Sequence, residues 1–344
     1  MMTCIFTLDY EIYGNGEGSL RELVYEPAEQ LKAIFEKWDS RFVTFVEVAE
    51  LELIEAHRMD EAVASVRAQI RDFHERGFEL GLHIHPQWYN GRYKNGRWLL
   101  DYSEYNLCTL PQARIVEIVD RGIGYLQSLS GAAAGPPLSF RAGNWLFQPS
   151  KTVVDVLAER GLKIDSSVFK GGLQRQHDLD YRRSLKNGYF WPFSEDVEVP
   201  DVRGSFWEFP IYTKMIPAWK FLTAKRVGLQ RKGPPPLQAP GGRFRRYGDF
   251  LRLRYPVKFD FCRMTMRELV LMLDEEIEMA AGDPDTLRPV VAIGHTKDLV
   301  DFETVDLLLS YLRKRNVPIA TFRDVYGRLA ARANALTNEG QAHG

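Results

Sequence analysis

The sequence predicts an α/β fold whose parallel strands wrap into a distorted (β/α)7 barrel, with one irregular insertion. Three observations predict it. Seven short apolar runs alternate with helical stretches along the 344 residues, the pattern of βαβ units and a mostly parallel sheet. Five of those runs finish in polar residues able to do chemistry, as strands do at the working rim of such a sheet. The composition, 45% hydrophobic and 26% charged, fits a chain with a large core and excludes disorder, collagen and coiled coil.

The apolar runs cover residues 4–8, 42–48, 78–84, 138–140, 162–164, 290–293 and 317–321. The helical stretches cover 27–38, 60–76, 112–129, 150–160, 265–279 and 302–315. Pro27 suits the first position of its helix, and Gly77, Gly131, Gly161 and Gly282 suit helix ends. Two segments break the alternation. Residues 89–100 hold two Asn-Gly pairs, the strongest short hairpin signal, and predict a flap after the third strand. Residues 170–258 are irregular. Within them Phe206-Trp207-Glu208-Phe209-Pro210 reads as a strand ended by proline. Residues 220–258 carry eleven Lys and Arg against one acidic residue, Asp249. The expected organisation is a single domain over 1–335, with a disordered tail over 336–344.

Charge narrows the partners. There are 45 Lys and Arg against 46 Asp and Glu, so no nucleic-acid polymer is expected to bind the chain as a whole. The basic stretch 220–258 is the one local patch that would favour phosphate or a peripheral membrane contact. Cys4, Cys108 and Cys262 are odd in number and lack CxxC spacing, which argues against a disulfide framework and fits a reducing compartment. The first residues meet Asp9 without a basic export-signal region, and no apolar run approaches the ~18 residues of a membrane span. The expected location is therefore the cytoplasm, possible contact with the inner membrane included.

The run ends carry the chemistry. The first ends in Asp9-Tyr10-Glu11, the third in His83-Ile84-His85 and the fourth in Arg141-Ala142-Gly143-Asn144-Trp145. The fifth ends in Asp165-Ser166-Ser167 and the sixth in Gly294-His295-Thr296. His83 and His85 are two residues apart, so a strand presents both on one face, and Asp9 and Glu11 share a face for the same reason. Two histidines and one carboxylate with an open position form a catalytic zinc set, also suited to iron, cobalt or nickel. On spacing alone either Asp9 or Glu11 can be that carboxylate. His295 at the tip of a buried strand is a candidate general acid, with Asp165 to orient it, and Arg141 is a candidate partner for ionised Asp9. Trp88 and Trp145 are candidate sugar-stacking residues, with Asn144 beside them. The Gly14–Ser19 loop lacks the third glycine of a dinucleotide fingerprint and is set aside.

These residues resemble the polysaccharide deacetylases of carbohydrate esterase family 4. The family's Thr-Phe-Asp-Asp motif is similar to Thr7-Leu8-Asp9-Tyr10, and its Gly-x-His with a second His to Gly81-Leu82-His83 with His85. Its Arg-x-Gly is similar to Arg141-Ala142-Gly143, and its fourth, Asp-initiated motif to Asp165-Ser166-Ser167-Val168. Its last motif, an apolar strand ending in His, is similar to residues 290–295. Order and spacing agree from residue 3 to about 321, with 170–258 outside the motifs. Three departures stand out. Tyr10 replaces a metal-binding Asp, Gln87 occupies the usual place of the second His, and the fourth motif lacks its Trp.

The resemblance implies a metal-dependent hydrolase that removes an N-acetyl or related acyl group from a sugar in surface-polysaccharide or lipopolysaccharide biosynthesis. It implies Asp9 as base, Glu11, His83 and His85 as ligands of one divalent ion, and His295, Arg141 and Asp165 as the remaining catalytic set. Zinc is the foremost ion, with cobalt, nickel, iron and manganese also suited. The expected substrate is an N-acylated sugar linked to a nucleotide or a lipid. Alternatives are a deformylase of a lipid-linked formamido sugar and a non-catalytic sugar-binding protein on the same fold. A two-carboxylate glycoside hydrolase would leave His83 and His85 without a role.

Overall fold

The computed structural model describes residues 1–131, 135–217 and 253–331. Strand β1 (Met2–Tyr10) is buried along its whole length, as a parallel strand covered on both faces must be. Helix α1 (Glu26–Lys37) carries Pro27 in its first turn and buries Leu31 and Phe35. Strand β2 (Val43–Glu47) passes without a loop into α2 (Val48–His57), which the sequence reading did not anticipate. The reason is the cap. Glu47 accepts from the backbone N–H groups of Ala49 and Glu50, a job usually done by Ser, Thr, Asp or Asn.

Helix α3 (Val63–Glu75) returns the chain to β3 (Glu79–Ile84). The flap follows as hairpin β4 (Arg92–Lys94) and β5 (Arg97–Leu99). It turns on Asn95 and Gly96, both with positive φ, as the Asn-Gly pair requires. Then come α4 (Gln112–Ser130), β6 (Ser139–Ala142), α5 (Lys151–Glu159) and β7 (Ile164–Asp165).

The insertion is built from short antiparallel pairs. Strand β8 (Leu173–Gln174) pairs with β9 (Leu179–Asp180), and β10 (Trp191–Phe193) with β11 (Phe206–Glu208). Strand β12 (Thr213–Pro217) pairs with β13 (Arg254–Lys258). Most of the basic stretch 220–258 and the tail 336–344 lie outside the described residues. Helix α6 (Met266–Gly282) starts with a Thr265–Glu268 capping box. Strand β14 (Arg288–His295) and helix α7 (Phe302–Lys314) follow, and residues 322–331 are helical.

The sheet order is β10-β11-β7-β6-β3-β2-β1-β14, parallel except for the β10–β11 pair. Single bridges bring the two ends together: Ile211 bridges both Phe169, just after β7, and Val291 of β14. The result is a distorted barrel closed by bridges where a regular one has full ladders. The run 317–321, expected as the seventh strand, makes only the bridge from Ile319 to Cys4. Cys4 has that edge free because β2 pairs with β1 only from Thr7 onward.

Side chains alternate between two cores. Phe6, Leu8, Tyr10, Leu82 and Ile84 pack outward with the helices. Ile5, Val43, Phe45 and Val291 pack inward, closed below by Phe322 and Val325. Period-two alternation then carries the inner face of β1 from Ile5 through Thr7 to Asp9, and that of β2 from Val43 through Phe45 to Glu47. Among the described residues no helix is long and apolar enough to cross a membrane.

The inner face leaves little room at Gly81, where a Cβ would stand 2.6 Å from the Phe45 ring and 2.9 Å from Ser139 Oγ. Gly81→Ala is expected to cost about 1–3 kcal/mol through overpacking. Urea unfolding should show a lower midpoint at an unchanged slope; an unchanged midpoint would contradict this packing.

Candidate metal and hydrolytic site

The rim follows from register. Asp9 lies opposite His295 on one side and Phe45 on the other. Glu47 lies opposite His83, His83 opposite Arg141, and Asp165 opposite Phe140 and Glu208. One turn of the barrel therefore gathers residues separated by nearly the whole chain.

Arg141 is fully buried and its donors are widely engaged. Nη1 donates to Asp9 Oδ1 at 2.5 Å, Nη2 to Thr7 Oγ1 at 2.9 Å and Nε to the Ser166 carbonyl at 2.8 Å. Its guanidinium also lies 4.1 Å from the Phe45 ring centroid. Burial pushes the Asp9 carboxyl up, but Arg141, then His295 and His83, bring it below its ordinary value, so Asp9 is ionised. The expected Arg141–Asp9 partnership is therefore present.

Glu11 stands between two imidazoles and an ammonium. Its Oε2 lies 3.1 Å from His85 Nε2 and 3.6 Å from His83 Nε2, and its Oε1 accepts from Lys297 Nζ at 2.7 Å. Burial raises the Glu11 carboxyl; Lys297, His85 and His83 outweigh it and hold the group well below the usual range. Donor atoms of Glu11, His83 and His85 lie within 4.8 Å of one another, and all three residues are buried.

The donor chemistry fits a divalent ion. His83 Nδ1 lies 2.8 Å from the Arg141 carbonyl, which can only accept, so Nδ1 carries the hydrogen and Nε2 keeps its lone pair. His85 Nδ1 lies 3.2 Å from Gln87 Nε2 and 3.2 Å from Asn144 Nδ2, while the buried Gln87 Oε1 has no partner among the described residues. With both the Gln87 and the Asn144 amides turned over, Nδ1 donates to their oxygens and the His85 Nε2 lone pair is free as well. Gln87 thus supports the histidine whose usual place it occupies. The pocket also favours positive charge. Burial lowers His83, yet Glu11, Asp9 and Glu47 carry it up to about 9.

His295 Nε2 lies 3.4 Å from Asp9 Oδ2, at the point where Asp9 faces away from Arg141. Burial holds its imidazole below the ordinary value against the pull of Asp9, so at rest it is neutral. Two expectations are corrected. Asp165 does not orient His295: its two oxygens accept from the Ser167 N–H and hydroxyl, because β7 lies on the far side of β6. The carboxylate beside His295 Nδ1 is Asp298, at 3.8 Å. Trp88 does not face a substrate. It has no exposed surface and packs against Trp98 of the flap.

Trp145 does belong to the site. It is half-buried, with its ring centroid 6.0 Å from that of His295. Asn144 is placed against His85. Both residues hold positive φ, 55° and 61°, an uncommon backbone state that aims the two side chains to the rim.

The sequence reading missed Lys297, Asp298 and Glu47. The polar run Thr296-Lys297-Asp298 after an apolar strand was a usable signal, and so was the alternation Val43, Phe45, Glu47. Glu47 Oε2 is buried without a hydrogen-bond partner among the described residues, and burial raises its carboxyl.

No family model and no curated protein matches the chain. Solved structures do. A protein from Mycobacterium smegmatis described as a candidate polysaccharide deacetylase is 15% identical with a TM-score of 0.53, the match covering 96% of this chain and 91% of the other. A similarly described protein from Pseudomonas aeruginosa PAO1 is 12% identical with a TM-score of 0.52, covering 94% and 89%. At these identities the likeness shows the fold, which is the one that polysaccharide deacetylases adopt.

The ligand assignment separates the two carboxylates. Glu11→Gln, His83→Ala and His85→Ala should each lower zinc affinity in titration calorimetry, and Gln87→Leu should lower it about 10- to 100-fold. Asp9→Asn should still bind zinc. Metal kept by Glu11→Gln and lost by Asp9→Asn would reverse the roles.

Proposed function

We propose that this chain is a metal-dependent deacetylase of an N-acylated sugar. The observation that carries the reading is the adjacency of an Arg-held carboxylate, Asp9, to both a two-histidine, one-carboxylate set and the imidazole of His295. A polysaccharide-deacetylase fold supports it. A divalent ion held by Glu11, His83 and His85 would supply an acidified water and polarisation of the acyl carbonyl.

The chain's own residues do the rest. Asp9, ionised and pinned through Oδ1 by Arg141, offers Oδ2 as the base that takes a proton from the attacking water. Water oxygen bonds to the acyl carbon, the carbon–nitrogen bond breaks, and the nitrogen leaves only when protonated. Asp9 passes the proton it took from water to His295 Nε2, 3.4 Å from its Oδ2, and His295 delivers it to the departing nitrogen. A buried imidazole with a lowered pKa makes a strong acid once it is protonated. Lys297 donates to Glu11 Oε1 and leaves Oε2 toward the histidines. Trp145 offers an aromatic face to the sugar.

The biosynthetic setting belongs to the same proposal: a nucleotide-linked or lipid-linked sugar, deacylated on the way to a surface glycan in the cytoplasm, with zinc the foremost ion. Deformylation uses the same groups and is the second reading.

Acetate or formate release from a panel of N-acylated sugars, with and without a chelator, tests the activity. His295→Ala should keep its metal and lose about 10²–10⁴-fold in turnover. Unchanged turnover would remove His295 from the mechanism. Absence of any bound metal would favour a sugar-binding protein without catalysis.

A further inference from the structure

We infer that Lys258 is a substrate-recognition cation of this site, and that the sugar carries an anionic group, a carboxylate or a phosphate, within one sugar ring of the acylated nitrogen. The inference rests on the hydrolytic reading above and goes beyond it by naming a substrate class.

Lys258 ends β13, on the strand pair that flanks residues 218–252. Its Nζ lies 2.9 Å from the Trp145 ring centroid and 5.0 Å from that of Phe169. The same Trp145 ring stands perpendicular to His295 at 6.0 Å. One aromatic plate therefore joins the ammonium to the catalytic imidazole. A pyranose set beside that plate, clear of the face that Lys258 covers, would bring its acylamino group to His295 and another substituent to Lys258.

The ammonium has rings for neighbours and no carboxylate of its own. It makes no ion pair or side-chain hydrogen bond among the described residues. The two carboxylates whose charge it feels are committed elsewhere. Asp9 is held by Arg141, and Asp260 Oδ1 accepts the N–H groups of Cys262 and Arg263. Arg263 itself turns to Asp298 at 2.6 Å. Aromatic faces return less to such a cation than the hydration it loses on burial. Burial, together with Arg263 and Arg141 and against Asp260 and Asp9, carries the Lys258 ammonium down to about 7. A cation of this kind, half-buried over the ring that meets His295 and without an anionic partner among the described residues, is completed by an anion from outside.

The experiment compares three probes on the full-length, zinc-loaded protein: an N-acetylated amino-uronic acid, N-acetylglucosamine 1-phosphate and neutral N-acetylglucosamine. Binding is read by calorimetry and turnover by acetate release. The parent should prefer one of the charged sugars, and the choice between them identifies the anion. Lys258→Met should raise Kd and KM for that sugar at least tenfold more than for the neutral sugar. Lys258→Arg should restore most of the difference. Equal loss on charged and neutral sugars, or no preference in the parent, would overturn the assignment. No turnover on any probe, with charged-sugar binding still weakened in Lys258→Met, would remove the hydrolytic reading and keep the Lys258 assignment. No turnover and unchanged binding would remove both.

Discussion

Arg141 holds Asp9 at 2.5 Å in a place neither residue shares with water, and the rim is organised around that pair. Burying either charge alone would cost several kcal/mol, so each requires the other. The remaining guanidinium donors reach Thr7 on β1, and Ser166 after β7, so a single side chain spans the sheet from β1 to β7. Because the pair takes Asp9 Oδ1, Oδ2 is left for His295. The ion pair therefore fixes both the charge state of the proposed base and the direction in which it acts.

A second constraint follows from the first. The inner rim crowds Asp9, Glu11, Glu47, Glu50, Asp165 and Glu208 into buried positions. They cannot all ionise together. The two with a cation in contact, Asp9 with Arg141 and Glu11 with Lys297, lie below their ordinary values. Burial raises the other four, most strongly Glu50 and Glu208, where neighbouring carboxylates add to it. Cation placement thus separates carboxylates held in the charged form from carboxylates that burial pushes toward protonation, and the latter brace the backbone. Glu47 caps α2, Glu50 receives the Ile12 N–H and Glu208 receives that of Val168.

Much of this was legible in the residues. The barrel, the flap turn at Asn95-Gly96 and the pairing of His83 with His85 on one face follow from local periodicity and turn chemistry. The misreadings share a cause. Trp88 is a candidate sugar-stacking residue by type, yet Trp98 of the flap covers it. Asp165 was paired with His295 because both end strands, yet β7 and β14 are separated by four strands along the ladders. Helix α2 escaped notice because Glu50, Glu52 and Glu55 interrupt its apolar residues without helical periodicity and its cap is a glutamate.

Strand periodicity is a property of the backbone, so the sequence alone determined that the fold is α/β, that the runs end at one rim, and that Asp9 with Glu11 and His83 with His85 share faces. It also determined which residue types stand there. Only the tertiary structure decided that Lys297 meets Glu11 and that Lys258 lies over Trp145, and it brought Arg141 to Asp9 as expected. Those partners come from segments far apart in the chain, and their meeting depends on strand order and register. Local pattern does not encode either, because a buried charge is stabilised by whichever opposite charge the packed sheet brings within reach.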